Sequence, residues 1–175
     1  MEAEHSDMSL AREVLPGRTY LITRRCTQRQ LLMRPDEETN NAYVYCLAVA
    51  AKRFRIEVIF TIALSNHHHT GIRDPYGNYP EFLGLFHKLF AKCQNVLHGR
   101  WENFWAAEQV SVVRLVGKED VLSKMIYALS NPAKDHLVEK STDWPGISSL
   151  PALLHGKELS AHRPKHFFRA DGQMP

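Results

Sequence analysis

The chain has 175 residues, 44% of them hydrophobic, with a formal net charge of +3. That suffices for one well-cored domain and a tail but not for two full domains, and so mild a basic balance permits a nucleic-acid partner without demanding one. Cys26, Cys46 and Cys93, odd in number and without a Cys-x-x-Cys pair, argue against a disulfide framework or zinc ribbon and for buried thiols. No apolar leader and no run of eighteen apolar residues occurs, so a soluble, cytoplasmic protein without membrane contact is expected.

Residues 1–18 lack periodicity and end in Pro16-Gly17, which reads as a flexible arm. Thr19 to Thr23 is rich in strand formers, and the polar stretch Arg24, Arg25, Gln28, Arg29, Gln30 is expected to follow it as an exposed loop. Pro35-Asp36-Glu37-Glu38 predicts a helix start with proline in the first turn and acids where the helix dipole favours them; cations near Phe54 mark its end. Glu57 to Leu64 is a compact apolar strand, Ser65-Asn66 a turn, and His67 to Arg73 a second strand. From Pro80, Phe82, Phe86, Leu89, Phe90, Cys93 and Leu97 recur at helical steps, leaving His87, Lys88 and Lys92 for the outer face. Val110 to Val116 alternates as a fourth strand, and a further helix follows Gly117 with an apolar stripe of Val121, Leu122, Met125, Ile126 and Leu129. Beyond Lys140 the chain turns to Trp144-Pro145-Gly146 and a Pro-, His- and basic-rich tail with no clear repeat, whose end at Gly172-Gln173-Met174-Pro175 has no helix or strand to close it.

The order β-α-β-β-α-β predicts an α+β, ferredoxin-like antiparallel sheet with helices on one face, plus an added C-terminal helix. The expected organisation is an arm over 1–18, a domain carrying the chemistry over 19–140, and a tail over 141–175.

Three consecutive histidines open the third strand. Alternate strand residues share a face, so His67 and His69 would point the same way, close enough for one metal ion and with coordination positions left open. On the later helix Tyr127 falls opposite the apolar stripe, with Asn131 one turn on. Phenolic oxygen is a weak nucleophile unless a metal polarises its target, and a phosphodiester is the natural one. His67 and His69 as nitrogen ligands, Asn131 as an oxygen ligand and Tyr127 as nucleophile would suit Mg2+ or Mn2+. Each residue alone has a plainer reading: surface histidines, a rim tyrosine, and a helix stop at Asn131-Pro132.

These residues carry a resemblance. Leu64-Ser65-Asn66-His67-His68-His69 resembles the Met-Pro-Asn-His-x-His motif of the single-tyrosine transposases of the HUH nuclease superfamily, especially the REP-associated tyrosine transposases and those of the smallest insertion sequences. Tyr127-Ala128-Leu129-Ser130-Asn131-Pro132-Ala133-Lys134 resembles their Tyr-Ile-x-x-Asn-Pro-Val-Arg/Lys, and Trp144-Pro145-Gly146-Ile147-Ser148-Ser149 the aromatic-then-Ser-Ser stretch that follows. The resemblance spans about 19–149. It implies a ferredoxin-like core, a divalent metal on His67, His69 and Asn131, and cleavage of single-stranded DNA near a hairpin by Tyr127, giving a 5′-phosphotyrosine and a free 3′-hydroxyl. Two positions depart from the pattern: His68 stands where the family usually has a large apolar residue, and Ser65 where it has proline.

For DNA contacts the candidates are Arg24, Arg25, Arg29 and Gln30, then Lys88, Lys92 and Arg100. Trp101 and Trp105, spaced with Phe104, suit either base stacking or packing between helix and sheet. The main alternative to a DNA strand transferase is a domesticated hairpin DNA- or RNA-binding protein that does not cleave; a plain metal-binding domain is a third reading. A monomer and a homodimer both fit.

Overall fold

The computed structural model describes residues 13–165, so most of the expected N-terminal arm and the last part of the tail lie outside the described residues. The elements in chain order are β1 (Arg18–Arg25), a 3-10 turn (Thr27–Arg29), α1 (Glu37–Phe54), β2 (Glu57–Leu64), β3 (His67–Asp74), α2 (Tyr79–Leu97), β4 (Ser111–Leu115), α3 (Lys118–Leu129), α4 (Asn131–Lys134), a 3-10 turn (Ser141–Asp143) and α5 (Leu150–His155). The four strands form one sheet in the order β2-β3-β1-β4, every neighbouring pair antiparallel. This is the expected ferredoxin-like α+β arrangement. Among the described residues no helix is long and apolar enough to cross a membrane.

Local chemistry explains the two long helices. Asp36 caps α1, its carboxylate accepting from the Thr39 backbone N–H at 2.6 Å and from the Thr39 hydroxyl at 3.0 Å. Pro35 therefore lies just outside the helix, not in its first turn. Buried Asp74 organises the connection into α2 by accepting from the backbone N–H groups of Tyr76, Gly77 and Tyr79.

Strand alternation then sorts the sheet into two faces. Tyr20, Ile22, His68, Thr70 and Ile72 face α1 and α2, while Leu21, Phe60, Ile62 and Leu115 join Ala128 and Leu129 of α3 in a second, smaller core. The larger core is aromatic. Phe82, Phe86 and Phe90 are fully buried at successive turns of α2, and Tyr43 of α1 meets Phe86 and Phe90 edge-on at 5.2 and 5.3 Å. Burying each of those phenylalanines contributes about 1.5–3 kcal/mol. Cys26, Cys46 and Cys93 are all free and buried, as expected.

Four further expectations change. β1 runs on through Arg24 and Arg25, so both belong to a strand and not to an exposed loop. His87 is buried, since α2 is rolled far enough to bring it against the sheet. On α3, Leu122 and Ile126 are more than half exposed, and Ala128 takes their place toward the sheet. Finally, the stretch after Lys140 is structured: Ile147 and Ser149 pair with the free edge of β2, through Ala63 N–H to Ile147 O at 3.0 Å and Ser149 N–H to Thr61 O at 2.9 Å. Trp144 Nε1 donates to Ala63 O at 3.0 Å, so this segment covers an edge that would otherwise offer unpaired backbone groups.

Candidate active site

The register of β3 sets the site. His67 lies opposite Arg25 and Leu64, and His69 opposite Thr23 and Ile62, so both imidazoles stand on the face that α3 covers. Their ring centroids are 5.0 Å apart with planes at 88°. His67 Nδ1 lies 2.7 Å from Asn66 Oδ1, and a carboxamide oxygen only accepts, so the proton sits on Nδ1 and Nε2 keeps its lone pair. His69 Nδ1 is held by the Thr23 hydroxyl at 2.8 Å. Burial, the partner imidazole and the Arg25 cation push His69 down to about 4. His67 is lowered by burial and by Arg25, against a smaller opposing pull from Asp135. Both rings are therefore neutral at physiological pH, the state a metal ligand needs.

Tyr127 comes from α3. That helix begins after Gly117, whose φ of 88° only glycine adopts readily, and the Asp120 carboxylate accepts from the Val116 N–H at 3.0 Å. Ala128 and Leu129 anchor it, leaving Tyr127 52% exposed on its flank with its ring centroid 6.2 Å from that of His69. Lys134 Nζ sits 5.1 Å from the centre of the tyrosine ring. Pro132, lacking an N–H, breaks the helix, so Asn131 opens the separate turn α4 and is buried there. Asp135, just past α4, pulls against the lowering of His67, and Lys134 of the same turn lies against the Tyr127 ring. Among the described residues no three His, Cys, Asp or Glu side chains converge. Further donors to an ion on His67 and His69 would thus be neutral oxygens, of which the Asn131 carboxamide is the candidate, or oxygens of a substrate.

A cleft of about 610 Å³ at the end of β1 is lined by Thr23, the partner of His69, with Arg24, Arg25, Gln28, Arg29, Glu108, Gln109 and Ser111. Arg25 and Arg29 are exposed. Gln28 and Arg29 both have left-handed backbones, φ 49° and 55°, a conformation costly outside glycine and often tied to function. Gln30 donates to Gln28 Oε1 at 3.1 Å. Arg24 instead turns to the other face, donating from Nη1 to His87 Nδ1 at 3.1 Å and lying 5.5 Å over Trp105. Lys88 and Lys92 are exposed on α2, which packs on the face opposite the histidine pair, so the structure does not bring them to the site. Trp105 is buried and donates to His87 O at 2.9 Å, while Trp101 is 97% exposed.

A search for similar structures finds a REP-associated tyrosine transposase, solved bound to a REP hairpin, with a TM-score of 0.68 at 15% identity, covering 95% of this chain and 98% of that one. The chain shares the fold of that tyrosine transposase. A more distant match is a protein of Deinococcus radiodurans R1 classed by inference as a transposase, with a TM-score of 0.48 at 14% identity, covering 71% of this chain and 97% of that one. No family model and no curated protein matches the chain.

Several residues around the site make contacts that spacing did not single out. Thr23 reads as an ordinary strand former, because its contact with His69 exists only through the β1–β3 register. His87 looks like a surface residue on helical periodicity alone. Asn66 and Lys134 were visible as parts of the two motifs, but their contacts with His67 and Tyr127 were not.

Proposed function

We propose that the protein is a metal-dependent tyrosine transposase that nicks and rejoins single-stranded, hairpin-bearing DNA in the cytoplasm. The observation that carries this reading is Tyr127, exposed on α3, with its ring 6.2 Å from that of His69 in a pair of neutral imidazoles. The residues fit a divalent ion: His67 offers an unprotonated Nε2 fixed by Asn66, and burial keeps His69 neutral. His67, His69 and Asn131 would hold Mg2+ or Mn2+, and the bound ion would polarise the scissile phosphate.

The chain's own groups do the rest. Arg25 and Arg29 in the cleft grip backbone phosphates and orient the strand. The Tyr127 oxygen attacks phosphorus as its proton leaves to solvent; the bond to the 3′ oxygen breaks and that oxygen takes up a proton. The product is a 5′-phosphotyrosine and a free 3′-hydroxyl. Since the ester bond energy is kept, a 3′-hydroxyl rejoins the strand without ATP. The structural match to a REP-associated transposase solved on a REP hairpin supports hairpin DNA as the substrate class.

Incubating the protein and Mn2+ with hairpin oligonucleotides labelled at either end tests this reading. The label on the 3′ side of the nick is expected to migrate with protein and the 5′-side label to be released with a free 3′-hydroxyl. Labels attached the other way round, or no cleavage across a panel of hairpins, would contradict it.

A further inference from the structure

On the far side of the sheet, behind the histidine pair, a file of polar side chains crosses the larger core. Arg24 Nη1 donates to His87 Nδ1 at 3.1 Å, His87 Nε2 meets His68 Nε2 at 3.0 Å, and His68 Nδ1 meets Thr70 Oγ1 at 3.1 Å. Thr70 Oγ1 lies 2.9 Å from Thr61 Oγ1, which in turn lies 3.4 Å from the backbone carbonyl of His69. A guanidinium has only donors, so it fixes the direction of the file. His87 accepts at Nδ1 and must carry its proton on Nε2; His68 accepts that proton's hydrogen bond at Nε2 and donates from Nδ1 to Thr70. Both rings are buried. An apolar side chain at position 68 would fill the core without needing partners, so the file calls for a role beyond packing.

Arg24 is the outer end of the file. Its ring and imidazole neighbours hold the guanidinium in place but carry no compensating charge. Its Nε is buried without a partner. The ion pairs among the described residues are Arg73–Glu57 and Arg114–Glu13, and neither involves Arg24. Arg24 lines both the 610 Å³ cleft, beside Thr23 and Arg25, and a second cavity of about 540 Å³. Glu108 lines both cavities too, yet forms no ion pair with it. Among the described residues no carboxylate pairs with this held guanidinium, and a guanidinium so placed beside a cavity matches a phosphodiester.

We propose that Arg24 binds a backbone phosphate of the substrate strand, and that His87 and His68 are positioning residues that hold its guanidinium in place on the α2 side of the sheet. This rests on the nucleic-acid reading above and adds to it a role for two core histidines. Because the contact is to the backbone, it is independent of base sequence.

The test is fluorescence anisotropy with a labelled hairpin oligonucleotide carrying single-stranded flanks, on the full chain, over a range of NaCl concentrations. Arg24→Gln is expected to weaken binding about tenfold and to reduce the slope of log affinity against log salt by about 0.7. His87→Leu weakens binding several-fold. His87→Gln, whose carboxamide can accept from Arg24 and donate to His68, restores it. Because His87 acts through Arg24, the double variant Arg24→Gln/His87→Leu binds no worse than Arg24→Gln alone. Melting curves identify any variant that fails to fold, and the Arg24→Gln and His87→Gln comparisons stand without His87→Leu. A folded His87→Leu protein with wild-type affinity, or losses that add in the double variant, overturns the positioning role. Unchanged affinity and slope in Arg24→Gln overturn the phosphate contact while the nucleic-acid function stands. A wild-type protein with no affinity for the oligonucleotide overturns both together.

Discussion

Thr23 and His69 meet across the β1–β3 ladder, hydroxyl to Nδ1, at 2.8 Å. This contact fixes the ring orientation of a candidate ligand from a strand that carries no ligand itself. Partners of this kind are typically worth 10–100-fold in metal affinity. Thr23→Val is therefore expected to weaken Mn2+ binding by about that factor, with a stability loss of only about 1 kcal/mol for the lost hydrogen bond. Thr23→Ser keeps the hydroxyl and is expected to retain most of the affinity. Titration calorimetry with Mn2+ checks this, and equal affinity in the valine variant would contradict it.

Four histidines, His67, His68, His69 and His87, are all held below the usual histidine range, with burial the largest cause in each. As pH falls through about 6.5 the unfolded chain takes up protons there while the folded chain does not. Stability therefore rises with pH across this window and is lost on acidification, each such histidine adding up to about 1.4 kcal/mol per pH unit. For His69 the loss levels off near its folded value of about 4. Urea unfolding of the metal-free protein is expected to give a marked drop in midpoint between pH 7 and pH 5. His87→Gln, with one titrating group fewer, is expected to show a shallower drop; a midpoint independent of pH would contradict the burial of these rings.

Gly71 lies opposite Phe60 in the β2–β3 ladder, and a Cβ built there would clash with the Phe60 ring. Phe60 is fully buried in the small core beneath α3. Gly71→Ala is therefore expected to cost about 1–3 kcal/mol through overpacking, read as a lower melting temperature. Adding Phe60→Leu should recover part of that loss, and an unshifted melting temperature in the single variant would show that the floor under α3 is looser than this contact requires.

The sequence made the elements legible where periodicity and punctuation agree. Glu57 to Leu64 is a strand with the expected bounds, and His67 opens the next one, because an apolar run and a two-residue turn leave little choice. What stayed hidden depends on how elements rotate against one another. Whether Arg24 faces solvent or core is decided by where β1 ends, and the loop assignment failed because the chain stays paired as far as Arg25. His87 and Leu122 show the same limit on helices: a stripe marks an apolar face, but a roll of α2 or α3 against the sheet buries one neighbour and frees another. His68 looked out of place because its partners, Thr70 two residues on and His87 on α2, meet it only in the folded core. For the pairing of the stretch after Lys140 with β2, the Trp144 to Ser149 motif was visible but its hydrogen bonds to the sheet edge were not.

The central claim is that Tyr127 is the nucleophile. The most direct measurement is denaturing electrophoresis of the protein after incubation with a labelled hairpin oligonucleotide and Mn2+, wild type beside Tyr127→Phe. The wild type is expected to form a covalent protein–DNA adduct that the phenylalanine variant, folded and still able to bind the oligonucleotide, does not form. An undiminished adduct in Tyr127→Phe would contradict the account.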